Sequence, residues 1–153
     1  MSSTPLQGTL TRLRQTFDTG KTLPIEWRLT QLAELDRMLR EHEPDFAEAL
    51  RLDLGKCRVE ASMTEINFVQ SEVKYARKHL STWMRAQRVR TPMMAQPGRS
   101  YIRPEPKGVV LIIAPWNYPV QLAIAPLAAA LAAGNVAVVK PSELTPHTSA
   151  TLA

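Results

Sequence analysis

With 153 residues, 44% of them hydrophobic and 22% charged, the chain has the size and make-up of one folded domain, not of a disordered segment. Its single cysteine, Cys57, excludes an internal disulfide and fits a reducing, cytoplasmic compartment. The net charge of +5 is concentrated between Val73 and Pro104, where eight basic and no acidic residues fall. No aromatic there is spaced to stack on bases, so this is a solvated face or a contact for an acidic partner subunit, and no nucleic acid is expected.

The opening stretch, MSSTPLQGTLTRLRQTF, lacks the uninterrupted apolar core of a signal peptide. Leu6, Leu10, Leu13 and Phe17 fall at helical spacing, which predicts a helix docked on its own domain. Ile25, Leu29, Leu32, Leu35 and Leu39 place one apolar face on a helix opening at Pro24. Pro44 breaks that run; Asp45 to Leu54 resumes it, and Gly55 ends it. Lys56 to Thr91 contains neither glycine nor proline. Met63, Ile66, Val69, Val73, Ala76, Leu80 and Trp83 form a stripe along it, with Glu65, Glu72, Lys74 and Arg77 pointing away. Residues 1–91 are therefore expected to be a helical region. The proline-rich connector 92–107 follows, in which Ser100 to Arg103 could pair as a short strand.

From Val109 to Val139 there is no charged residue. The stretch is long enough to span a membrane, but Pro115, Asn117, Pro119, Gln121, Pro126, Gly134 and Asn135 divide it, so no integral membrane segment is expected. Val109 to Ile113 has the pattern of a strand buried on both faces, and Val136 to Val139 that of a second. Between them Asn117 can cap a helix, Pro119 suits its first turn, Pro126 should bend it and Gly134 supplies a left-handed exit. Strand, helix, strand at this length is a βαβ unit. Thr145 and Pro146 then open a further helix that runs under two turns to Ala153, and the parallel strands lack neighbours, so the fold reads as truncated.

Ligands of an open parallel sheet bind beyond the carboxyl ends of its strands. Asn117 follows the first strand; Lys140, with Pro141, Ser142 and Glu143, closes the second. Each alone is ordinary, a helix cap and an exit to solvent. Together they can line a site. Cys57 has no histidine or acid arranged to activate it, and His42, His79 and His147 share no metal-ligand spacing, so neither a nucleophile nor a metal site is assigned.

The segments PKGVVLIIAPWNYP, PLAAALAAGN and VVKPSELTP, in this order and spacing, resemble the start of the cofactor domain in the aldehyde dehydrogenase superfamily. DLGK at Asp53 to Lys56, Glu60 and the TEI of Thr64 to Ile66 resemble its class 3 branch, which includes fatty- and coniferyl-aldehyde dehydrogenases. The resemblance implies an α/β fold: an N-terminal helical layer followed by the first βαβ part of a Rossmann-like NAD(P)-binding domain, at 108–153. It implies oxidation of a small-molecule aldehyde to a carboxylic acid with NAD or NADP, in a homodimeric enzyme. Asn117 corresponds to the donor that stabilises the oxyanion. Ile113, Ala114, Pro115 and Trp116 correspond to the wall along the cofactor. Lys140, Ser142 and Glu143 match the segment beside the adenosine ribose. The family's nucleophilic cysteine belongs to a later segment, so the alternative for these residues alone is a catalytically inactive fragment or an interaction module.

Overall fold

Pro24, extended at φ −61° and ψ 142°, starts the helix the leucine spacing predicts, Ile25–Glu41 (α2), with Leu32, Leu35 and Leu39 buried. The computed structural model describes residues 5–153, so the first four residues of the opening stretch lie outside the described residues. Before α2 comes Pro5–Asp18 (α1), whose Leu10, Leu13 and Phe17 are half-buried while Leu6 is exposed. Glu43–Leu54 (α3) begins two residues earlier than expected, because Pro44 sits in the first turn, where its missing N–H costs nothing. Gly55 ends α3 in the left-handed conformation, φ 69°.

The long stripe divides. Arg58–Ala61 (α4) leads into a π turn, Ser62–Ile66, and then into Asn67–Trp83 (α5). The π turn inserts one residue into the helical register and rotates what precedes it. Met63 is consequently exposed, whereas Glu65, expected to point away, is fully buried beside Ile66. Ser62 Oγ donates to Glu43 Oε1 at 2.7 Å, which ties the turn to α3. Helix ends at Trp83, itself 45% exposed, and the chain turns into a strand, Gln87–Val89 (β1). This strand pairs antiparallel with Ser100–Ile102 (β2), the segment expected to form one.

Val109–Ile113 (β3), Gln121–Ala132 (α6) and Val136–Lys140 (β4) form the βαβ unit, with β3 and β4 parallel in the register Val109 to Val136 through Ile113 to Lys140. Helix α6 continues through Pro126. Its buried Ala123, Ile124 and Ala128 share one core with Leu32 and Leu39 of α2 and Val69 and Val73 of α5. Residues on both sides of the connector therefore fold around the same apolar centre. The strands are not covered on both faces, a correction to the reading of Val109–Ile113: Ile112 is buried, but Leu111 and Ile113 on the opposite face are 63% and 68% exposed. Helix α1 reaches both strands, yet Leu111 and Ile113 toward their carboxyl end stay largely open. Among the described residues, no helix is long and apolar enough to cross a membrane. Pro146–Leu152 (α7) closes the described chain.

Gly134 leaves α6 at φ 86°, as its position predicts, and the turn is held from α2 and the loop before it. Thr22 Oγ1 donates to the Gly134 carbonyl at 2.6 Å, and Arg28 Nη1 donates to the carbonyl of Ala132 at 3.2 Å. Burial lowers the Arg28 pKa, but a guanidinium stays charged near neutrality and suits a helix C-terminus. A Cβ on Gly134 would lie 2.6 Å from the Arg28 guanidinium. Gly134→Ala should therefore cost about 1–3 kcal/mol, from backbone strain and displacement of Arg28. A fall in the denaturant midpoint with an unchanged slope would report it.

Candidate active site

The carboxyl edge of the parallel pair gathers the residues singled out from the sequence. Ile113 and Lys140 are partners in register at that edge, and the Ala114 N–H donates to the Lys140 carbonyl at 3.0 Å. Ile113 and Trp116 present 68% and 52% of their surface to solvent, and Pro115 is exposed between them, whereas Ala114 is buried. Beyond lies Asn117, exposed in the bend before α6. Val120, at the N-cap of α6, makes no side-chain cap bond, and among the described residues no hydrogen bond occupies the Asn117 amide. The amide is thus available to a ligand. The expected capping role of Asn117 is corrected: a different residue holds the helix start.

That residue is Glu65. Its Oε2 accepts the N–H of Val120 at 2.9 Å and of Gln121 at 3.2 Å, at the amino end of α6. A carboxylate at a helix N-terminus is stabilised by orphan N–H groups and by the helix dipole. Its Oε1 meets the Lys56 ammonium at 2.5 Å, with Lys56 itself 8% exposed. Lys56 Nζ also donates to the Asn117 carbonyl at 3.2 Å and lies 4.0 Å from the centre of the Tyr118 ring. The side-chain hydrogen bonds to the backbone from Asn117 to Gln121 therefore come from one buried ion pair. Sequence reading missed the pair, although a signal was present: Ala61, Glu65, Val69 and Val73 recur every four residues, which puts a carboxylate on an apolar stripe.

On the second strand, Lys140 and Glu143 form an ion pair with each other, and both are exposed. The hydrogen bond from Lys140, then a backbone hydrogen bond and the lysine charge, hold the Glu143 carboxyl below its ordinary pKa. Ser142 is buried, and its Oγ accepts the Leu144 N–H at 3.2 Å. Its carbonyl accepts the Ser149 hydroxyl at 2.8 Å, so Ser142 shapes the loop that presents its neighbours. Helix α7 is also capped from a distance. Asp53, at the end of α3, accepts the N–H of His147 at 3.1 Å and of Thr148 at 2.7 Å, and Thr145, the expected cap, makes no side-chain cap bond. Cys57 is exposed at the start of α4, where the structure arranges no activating base.

Breaking the buried pair from one side should be costly, because an uncompensated ion then stays in the core. Lys56→Met is expected to lower stability by about 3–5 kcal/mol. The charge-neutral double variant Lys56→Met with Glu65→Gln should lose less than the sum of the single variants. Urea unfolding of the unsubstituted chain, both single variants and the double variant measures the coupling.

A profile of the aldehyde dehydrogenase family matches residues 7–153. The mouse aldehyde dehydrogenase family 3 member B2 is 46% identical over 149 residues, which are 97% of this chain and 31% of that protein. The solved substrate-bound state of Staphylococcus aureus AldH superposes with a TM-score of 0.95 at 43% identity, over 98% of this chain and 33% of that one. Glyceraldehyde-3-phosphate dehydrogenase GapN of Methanocaldococcus jannaschii, solved with NADP, gives 0.73 at 26% identity, over 92% and 31%. The chain thus spans about a third of the length of the curated relatives it matches. Sequence profile, relatives and superposition agree over nearly all its residues: the chain belongs to the aldehyde dehydrogenase family.

Proposed function

We propose that these residues form the cofactor edge and the oxyanion donor of an enzyme that oxidises an aldehyde to a carboxylic acid with NAD or NADP. The observation that carries this reading is the exposed, unpaired Asn117 amide beyond the carboxyl end of β3, on the same edge as Lys140. An amide N–H donates to a developing oxyanion without adding a charge that titrates. The neighbouring surface suits a dinucleotide. Ile113 and Trp116 offer an exposed apolar wall, and the Lys140–Glu143 pair offers a donor and an acceptor for ribose hydroxyls at its end. The M. jannaschii relative solved with NADP supports the same cofactor class, and the lysine can accommodate a ribose phosphate as readily as a hydroxyl.

The dinucleotide supplies the hydride acceptor. Lys140 and Glu143 bind its ribose; Ser142 holds the loop that orients them. Ile113, Ala114, Pro115 and Trp116 exclude water along its length, and Asn117 aims its amide at the reacting oxygen. Cys57 takes no part, so these 153 residues alone fall short of turnover, and the thiolate belongs to the remainder of an intact family member. The β1–β2 hairpin, with Tyr101 and Ile102 more than half exposed, favours a homodimer by offering a surface to a second subunit.

The test joins this chain to the remaining two thirds of S. aureus AldH, the relative of closely similar backbone. Asn117→Ala should lower kcat by roughly 10²–10³ and leave cofactor affinity near its original value. Lys140→Ala should instead raise the cofactor KM by about tenfold with kcat at saturation retained. Asn117→Ala with normal turnover at saturation and weakened cofactor binding would reject the oxyanion role.

A further inference from the structure

The exposed Asn117 amide can act on an oxyanion only if the bend that carries it is held still, and that bend has few internal restraints. It lies between β3 and α6, and residues 114–120 belong to neither. Beside the backbone bond from the Leu122 N–H to the Tyr118 carbonyl at 2.9 Å, its side-chain restraints come from Lys56 and Glu65, residues more than fifty positions earlier. Lys56 reaches the Asn117 carbonyl and the Tyr118 ring; Glu65 takes the N–H groups of Val120 and Gln121. The two are joined at 2.5 Å, and Glu65 is fully buried on the π turn. The clamp therefore grips the bend on both sides of Pro119. The lysine holds the carbonyl of the very residue whose side chain faces out.

We infer that Lys56 and Glu65 are positioning residues for the Asn117 amide, fixing its aim through the backbone and touching neither substrate nor cofactor. The inference rests on the oxyanion role proposed for Asn117. Its physical basis is preorganisation: a donor stabilises a transition state to the extent that it needs no reorientation, and a displacement on the order of 1 Å can cost about a hundredfold in rate. A π turn is the device that makes the clamp possible. By adding a residue to the helix it brings Glu65 and Ile66 inward together, one to the helix start and one to the core.

The experiment uses the same completed enzyme and a double-mutant cycle. Glu65→Gln and Lys56→Met should each lower kcat about ten- to a hundredfold while the cofactor KM stays within about twofold. In an Asn117→Ala background the same substitutions should lower kcat no further, because the group they aim is gone. A purely structural role would instead reduce activity by the same factor in both backgrounds, and that result overturns the inference. So would full kcat in Glu65→Gln and Lys56→Met with only a lower Tm. If a single variant fails to fold, the double variant Glu65→Gln with Lys56→Met leaves no unpaired ion in the core and carries the same comparison. Loss of turnover in Asn117→Ala but not in the clamp variants rejects positioning alone. Full turnover in Asn117→Ala rejects the oxyanion reading and the positioning role together.

Discussion

A buried carboxylate and a buried ammonium, Glu65 and Lys56, join the helical first half of this chain to the start of its parallel sheet. Neither ion would be tolerated alone in an apolar core; the pair is tolerated because its remaining hydrogen-bonding capacity is used. Glu65 satisfies two N–H groups that begin α6, and Lys56 satisfies the carbonyl of Asn117. The bend that carries the candidate oxyanion donor and the entry into α6 are both tied to where that pair sits.

The same solution recurs at other helix ends. Helix α6 is almost wholly apolar, and its own sequence offers no side chain to close either terminus. Its beginning is closed by Glu65 and its end by Arg28 of α2. The beginning of α7 is closed by Asp53 of α3. Asn135 plays the matching part for the sheet, its Oδ1 accepting the N–H groups of Lys107 and Gly108 at 2.7 and 2.9 Å just before β3. Backbone groups that a buried connection would leave orphaned are thus met by side chains brought in through tertiary structure.

What could be read in the sequence was local, and what could not was tertiary. The leucine stripe of α2, the left-handed exits at Gly55 and Gly134 and the βαβ order of β3, α6 and β4 each follow from neighbours a few residues apart. Asn117, Lys140 and Glu143 were placed on one edge by the same reasoning, and the structure leaves all three exposed there. Even α-helical steps along the stripe put Glu65 on the outer face, and the π turn changes the phase within it. Strand β1 went unseen because its partner is eleven or more residues away and no glycine or proline marks its start. In the sequence Asp53 and Lys56 are only letters of a family motif, and the structure supplies their reason: one caps α7, the other holds the bend before α6.

The long-distance caps also bear on how such a protein can be recombined. The connector between β2 and β3 looks like a natural place to exchange one front half for another, since it is exposed and rich in proline. A splice there would carry Arg28, Asp53, Lys56 and Glu65 away with one parent and leave the helix ends they serve with the other. Shuffled offspring would work only where both parents kept the same four side chains in the same places, so these residues constrain inheritance of the two halves as a unit.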